Sequence, residues 1–192
     1  MKILLVVATE SEIIKEKFND CDVIVTGIGM VNATFSLTKI LSEKGYDLVI
    51  NMGVAGSFSN EIRIGDVVEV IEDVLSEIGF ENGNSFSEFT NFRVENSLKV
   101  DEKTNLKKAK GITVNTVHGN KKTIAEIVSR LSPDVESMEG AACFMVCDQF
   151  EIPCIQIRAI SNKVEKRNKK NWNLDLAISN LNTEVEKIIN FL

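Results

Sequence analysis

The chain has 192 residues, 44% of them hydrophobic and 26% charged, with a formal net charge of −6. That length and balance suit one domain, residues 1–192, with a substantial buried core, and the acidic balance excludes a general nucleic-acid binder, which presents a basic face. No apolar run reaches the roughly 20 residues of a membrane span: Ile3–Ala8 ends at Thr9-Glu10, lacks the flanks of a secretory signal, and reads as a buried strand of a cytoplasmic protein with no membrane partner.

In chain order, the pattern predicts a strand over Lys2–Ala8, a helix over Ser11–Phe18, a strand over Val23–Thr26 and a helix over Val31–Lys44. Strands over Leu48–Met52 and Asp66–Val74 follow. Gly79–Phe92 is the least regular stretch, polar with Phe80, Phe86, Phe89 and Phe92 interspersed, and reads as a long surface loop or flap. Then come a strand over Thr113–Val117, helices over Lys121–Leu131 and Glu139–Phe150, a strand over Cys154–Ile160 and a helix over Asp175–Phe191. Several strands are continuous apolar runs, as in strands covered on both faces, and their alternation with long helices predicts βαβ units around a mainly parallel sheet. Ligands in such sheets sit beyond the carboxyl ends of the strands.

The cysteines, Cys21, Cys143, Cys147 and Cys154, are even in number, but disulfide frameworks belong to small secreted chains with poor cores. Cys143 and Cys147 are four apart on a predicted helix, yet no second cluster completes a metal site and His118 is the only histidine. Reduced thiols, no metal and no cofactor are expected.

Residues with chemistry gather at the predicted strand ends. Glu10 and Glu12 follow the first strand, where acids favour a helix N-terminus. Thr26-Gly27-Ile28-Gly29-Met30 and Asn51-Met52-Gly53-Val54-Ala55-Gly56 are turns whose glycines let backbone N–H groups approach a ligand. Gly27-x-Gly29 is no dinucleotide fingerprint, because position 32 is Asn. Ser137-Met138-Glu139-Gly140-Ala141-Ala142 puts a carboxylate at a helix start, and Arg158-Ala159-Ile160-Ser161-Asn162 puts an amide at a strand end.

These motifs, in this order, resemble the nucleoside phosphorylase/nucleosidase superfamily. The resemblance implies an α/β/α three-layer nucleoside phosphorylase-like fold with a central mixed, mainly parallel sheet, and hydrolysis of an N-ribosidic bond. It casts Glu12 as the general base that activates water, with Glu10 the fallback. Glu139 binds the ribose hydroxyls and Met138 packs on the sugar. Val54, Ala55 and Gly56 lie against the sugar and nucleophile, Val117 lies in the base-side segment, and Arg158 orients Glu12 or the water. Where relatives acting on 6-aminopurines carry an Asp that protonates N7, this chain has Asn162. An amide supplies no proton but can donate from its NH₂ to N7 or O6 and accept through its carbonyl, which suits a 6-oxopurine.

After Asn162 the run Lys163-Val164-Glu165-Lys166-Arg167-Asn168-Lys169-Lys170-Asn171-Trp172-Asn173 resembles the segment that separates futalosine hydrolases from methylthioadenosine/S-adenosylhomocysteine nucleosidases. That resemblance implies futalosine as substrate, hypoxanthine and dehypoxanthine futalosine as products, and a place in menaquinone synthesis. Lys163 or Arg167 is a candidate partner for the anionic arm, against the plain reading of 163–170 as a solvated loop. Trp172 is an anchor for the last helix, and His118 is read as part of the base-side loop.

None of the arginines Arg63, Arg93, Arg130, Arg158 and Arg167 lies close in sequence to Gly27–Gly29 or Gly53–Gly56. A phosphate co-substrate would want arginines there. Water is therefore the expected nucleophile. A homo-oligomer, dimer or higher, is expected because relatives complete the pocket across a subunit boundary, which suits the Phe80–Phe92 cluster. The rival readings are a methylthioadenosine/S-adenosylhomocysteine nucleosidase, a purine nucleoside phosphorylase and a non-catalytic nucleoside-binding protein.

Overall fold

A computed structural model describes residues 1–83, 85–89 and 96–192. Its strands are β1 (Ile3–Val7), β2 (Asp22–Val25), β3 (Leu48–Ser57), β4 (Val67–Leu75), β5 (Phe80–Asn82), β6 (Ser85–Ser87), β7 (Ser97–Lys99), β8 (Lys107–Thr113), β9 (Val135–Ser137) and β10 (Cys154–Lys163). The helices are α1 (Met30–Glu43), α2 (Lys121–Leu131), α3 (Gly140–Gln149) and α4 (Leu174–Phe191).

β1 shows why a layered fold forms. Ile3, Leu5 and Val7 pack on one side against Ile13, Phe18 and the α4 residues Ala177, Leu181 and Val185. Leu4 and Val6 pack on the other against Ala33, Leu37 and Leu41 of α1 and Ala142, Cys143 and Val146 of α3. Period-2 alternation with both faces apolar forces a helix layer on each side. Each fully buried Leu or Ile in these layers contributes about 1.5–3 kcal/mol.

The strand pairings close on themselves. β3 pairs with β10, β10 with β4, β4 with β8, β8 with β9 and β9 with β3, while β1 and β2 extend from β3. Pairings of β1 with β2 and β3, β3 with β10, and β8 with β4 and β9 are parallel; those of β4 with β10 and β7, and of β3 with β9, are antiparallel. The expected three-layer α/β/α architecture with a mixed, mainly parallel sheet is what forms.

Several expectations are corrected. Ser11–Phe18 is not a helix but two 3-10 turns, Glu10–Glu12 and Lys15–Lys17, separated by extended Ile13. Glu12 turns its carboxylate back onto the Thr9 N–H at 2.9 Å, closing a capping box after one turn. The strand expected at Thr113–Val117 lies earlier, at Lys107–Thr113. Its lysines disguise it: Lys108 and Lys110 stand opposite Glu69 and Glu72 of β4, with Nζ–Oε distances of 2.7 and 3.3 Å. β3 runs to ten residues, so Gly53–Gly56 lies inside a strand rather than in a turn beyond it, while β10 begins at Cys154 as expected and runs on past Ile160 to Lys163, with Asn162 near its end. The stretch read as a flap contains the β5–β6 hairpin, with the Arg130 guanidinium 4.0 Å from the centre of the Phe86 ring; Phe92 and Arg93 lie outside the described residues. All four thiols are free; Cys143, Cys147 and Cys154 are buried, and burial pushes the Cys143 thiol well up. Among the described residues, no helix is long and apolar enough to cross a membrane.

Candidate active site

A cleft of about 540 Å³ opens where β3 and β10 end, between the Thr9–Glu12 turn, β9 and the start of α4. Its wall includes Glu12, Val54, Ala55, Gly56, Val117, Met138, Glu139 and Asn162, eight of the nine residues marked in the sequence. The ninth, Arg158, lies behind the wall, 2% exposed. Residues separated by 150 positions meet because parallel strands carry their C-terminal ends to one edge.

Glu12 is held as a carboxylate acceptor from both sides. Its Oε1 accepts the Val54 N–H at 3.1 Å, and its Oε2 accepts from the Thr9 N–H at 2.9 Å and hydroxyl at 3.2 Å. Below it, the buried amide of Asn182 on α4 donates to the Glu12 carbonyl at 3.0 Å and accepts from the Ile14 N–H at 2.8 Å. This clamp fixes the turn, and it is a contact that sequence reading missed: Asn182 looks like a solvent-facing residue until α4 packs. Glu10 points elsewhere, exposed and paired with Lys15 at 2.7 Å.

At Gly53 a side chain would crowd the site. A Cβ there would lie 2.9 Å from Glu12 Oε1 and 3.1 Å from Arg158 Nη1. An arginine therefore does reach the Gly53–Gly56 segment, because β10 pairs Arg158 with Gly53, which the spacing along the chain had hidden. Arg158 donates to the Asn51 side-chain Oδ1 and to the Ile157 backbone carbonyl, while its buried Nε has no partner among the described residues. Glu12 carries its hydrogen bonds to Val54 and Thr9 rather than to this guanidinium.

Glu139 caps α3, and its Oε1 accepts the Gly29 N–H at 2.8 Å. The Gly27–Gly29 turn, with φ of 88° and 96° at the two glycines, is what allows that approach. Burial pushes the Glu139 carboxyl up, Arg158 and the Gly29 amide pull it back, and the Glu12 charge adds to the rise. Asn162 sits just after a bulge in β10 that leaves Ser161 unpaired against β3. Its Oδ1 accepts from the Ser161 hydroxyl at 2.8 Å and its Nδ2 donates to the Lys163 carbonyl at 2.9 Å.

At the same end of the cleft lies a pair that sequence spacing concealed. His118 has no acid near it in the chain, yet its Nδ1 is 2.7 Å from Oε2 of Glu136, a 4% exposed carboxylate in β9. A narrow recess of about 50 Å³ continues past Asn162, lined in part by His118, Glu136, Arg167 and Trp172. Arg167 lies over the Trp172 ring, 5.2 Å from its centre. Lys163 turns its ammonium away, donating to the Ile62 and Ser59 carbonyls and reaching Ser57 Oγ at 3.4 Å.

Beneath α3, Asp73 is wholly buried and burial pushes its carboxyl up to about 6, against hydrogen bonds from Gln156 at 3.0 Å and Thr113 at 2.9 Å. The same Thr113 hydroxyl accepts the Ala141 N–H at 2.8 Å, which ties the helix start to the sheet. Among the described residues, no group of three or more His, Cys, Asp or Glu could hold a metal ion.

Comparison with known proteins gives the family and the fold. Residues 11–192 match the family described as the phosphorylase superfamily. An aminodeoxyfutalosine nucleosidase from Campylobacter jejuni is 30% identical over 152 residues, covering 73% of this chain and 66% of that protein. A 5'-methylthioadenosine/S-adenosylhomocysteine nucleosidase from a Geobacillus strain is 34% identical over 162 residues, covering 76% and 70%. The solved structure of a futalosine hydrolase from Helicobacter pylori superposes with a TM-score of 0.88 at 20% identity, covering 100% of this chain and 98% of that one, which is a likeness of fold.

Proposed function

The chain belongs to the phosphorylase superfamily, and on that premise we propose that it is a nucleosidase that hydrolyses the N-ribosidic bond of futalosine, releasing hypoxanthine and dehypoxanthine futalosine. The observation that carries this reading is the placement of Glu12, Glu139 and Asn162 on the wall of one cleft, with the sugar-facing segment Val54–Gly56 on the same wall.

In the reaction, a water oxygen bonds to C1′ of the ribose as the C1′–N9 bond breaks. Glu12 accepts the proton of that water; its fixed acceptor geometry holds the base where the water must lie. The electron pair of the broken bond leaves on the purine and spreads toward N7 and O6, where the Asn162 amide donates a hydrogen bond; the purine anion then takes its proton from solvent, and Glu12 returns the water proton to solvent. Glu139, with Oε1 committed to Gly29, offers its other oxygen to the ribose hydroxyls and stabilises the cationic character of the ring. Met138 packs on the sugar. Arg158 acts from behind, as a fixed positive charge.

Water is favoured over phosphate for a structural reason. The Glu12 carboxylate already occupies the Val54 N–H, a donor that an anion could otherwise use, and its negative charge would repel a phosphate there. The futalosine arm is supported by the 163–173 segment and by the Campylobacter relative, whose name shares the futalosine stem; the aminodeoxy prefix, an amino group in place of an oxygen, does not support the 6-oxo base, which rests on Asn162. The second reading, a methylthioadenosine/S-adenosylhomocysteine nucleosidase, is favoured by the Geobacillus relative; Asn162, which has no proton to give N7 of adenine, opposes it.

The protein is further proposed to work in the cytoplasm as a homo-oligomer. Ile28 on the cleft rim is 57% exposed, and Val31 and Phe35 beside it on α1 are 79% and 71% exposed, an apolar patch continuous with the site. Sedimentation of the purified protein as a monomer at micromolar concentration would remove that part of the proposal.

The functional test is base release by purified protein from futalosine, inosine and methylthioadenosine, each with and without phosphate. Hypoxanthine from futalosine, indifferent to phosphate, is expected. Adenine from methylthioadenosine would select the second reading, and phosphate dependence would make the protein a phosphorylase.

A further inference from the structure

We propose that Glu136, positioned by His118, is the second group that reads the purine, accepting the N1–H of a 6-oxopurine while Asn162 holds the opposite side of the ring. The inference rests on the nucleosidase reading for the presence of a base in this cleft and deepens it by assigning the base class to a residue pair.

The argument is one of register. Gly56 of β3 has Glu136 as its partner in β9 and Asn162 as its partner in β10, so the three residues form one row across three strands. Side chains in one row project from the same face, and neighbouring strands are about 4.8 Å apart. The middle residue has no side chain. A Cβ on Gly56 would lie 2.9 Å from Val164 Cγ2, 3.2 Å from Asn162 Nδ2 and 3.6 Å from Glu136 Cγ, so a valine methyl and the two polar side chains together border the position that glycine leaves bare. A flat ring set over that position has an amide on one side and a carboxylate on the other.

The carboxylate is oriented and keeps capacity. His118 donates its backbone N–H to Glu136 Oε1 at 3.1 Å, and its Nδ1 lies 2.7 Å from Oε2. Two carboxylate oxygens offer about four acceptor positions, so a substrate donor can still be taken. Glu136 lines both the main cleft and the recess beyond it, whereas His118 lines the recess only. Hypoxanthine and guanine present a donor at N1. Adenine presents an acceptor there, and a buried carboxylate facing it would lack a partner. His118 is a positioning residue here: it holds the carboxylate and needs no contact with the base.

The test is the affinity of free hypoxanthine and free adenine for the wild-type protein and for Glu136→Gln, measured by titration calorimetry, alongside kcat/KM on a 6-oxopurine and a 6-aminopurine nucleoside. The amide of Glu136→Gln can present a donor to N1 of adenine while keeping the shape of the side chain. The wild type should prefer hypoxanthine, and Glu136→Gln should move the preference at least ~10-fold toward adenine, the scale of one hydrogen bond exchanged. His118→Asn should move it the same way by a smaller factor, a readout that a merely structural role would leave alone. An unchanged preference in Glu136→Gln overturns the inference even if futalosine is hydrolysed. A shifted preference in a protein that cleaves no nucleoside would leave the inference standing and remove the nucleosidase reading. A wild type that binds neither base, or prefers adenine, overturns the inference outright.

Discussion

Glu12→Gln is the most informative single substitution, because the structure separates its chemical effect from its structural one. The amide can no longer accept a proton from water. Loss of a positioned general base costs about 10²–10⁴ in kcat, or about 3–5 kcal/mol of transition-state stabilisation. The structural effect comes from the three donors that the carboxylate satisfies: the N–H groups of Val54 and Thr9 and the Thr9 hydroxyl. The hydroxyl can turn and accept instead, but whichever way the amide is set, its NH₂ faces one backbone N–H. One buried donor left unpaired costs about 1–3 kcal/mol. For a chain of this length that is a fall of roughly 2–12 °C in Tm, at about 2–4 °C per kcal/mol. The assay is kcat and KM for futalosine at a temperature where both proteins are folded, with Tm measured in parallel. Turnover should fall at least ~100-fold with KM little changed. A variant that melts lower yet turns over within about threefold of wild type would show that Glu12 is only a structural acceptor, and the catalytic argument would fail.

Asn162→Asp gives the base end a proton donor and should raise kcat/KM on methylthioadenosine relative to the 6-oxopurine nucleoside; an unaltered ratio would count against the reading of Asn162. Asp73 sets a pH dependence of stability. Its carboxyl is pushed from 3.8 up to about 6 in the folded chain, so the native state binds more protons than the unfolded state across that window. Stability should therefore fall as pH rises from about 4 to 6, by up to ~3 kcal/mol at 1.36 kcal/mol per unit. Asp73→Asn, whose amide can donate to Gln156 Oε1, which has no partner among the described residues, should flatten that limb in urea titrations at several pH values, and an identical limb in both proteins would refute the assignment. Gly140→Ala places a Cβ 2.2 Å from both Asp73 Oδ2 and Gln156 Oε1, and should destabilise by at least ~3 kcal/mol; a Tm within 2 °C of wild type would contradict that packing, at the roughly 2–4 °C per kcal/mol expected for this size.

Much of the fold can be read from local pattern, because apolar periodicity is imposed by burial and burial is what the layers require. α1, α2, α3 and α4 each begin within a residue of where periodicity and capping place them, and Lys121–Leu131 coincides with α2. The pattern fails where charge pairing or capping overrides it. Lys107–Lys110 hides a strand whose cations are matched by acids on β4, and the Thr9–Glu12 box stops a helix after one turn. Motif order also placed Glu12, Val54–Gly56, Val117, Met138, Glu139 and Asn162 near one another, and they line one cleft.

What no local pattern holds is which distant residues become neighbours. Arg158 reaches Gly53, Asn182 clamps the Glu12 turn from α4, and Glu136 meets both His118 and the Gly56–Asn162 row, across separations of 105, 170 and 18 residues. The Arg158–Gly53 contact and the Glu136–Gly56–Asn162 row follow from strand register and from the closure of the sheet upon itself, and the Asn182 clamp follows from the docking of α4. Register is settled by the sum of pairings along whole strands, so it exists only once the chain has folded.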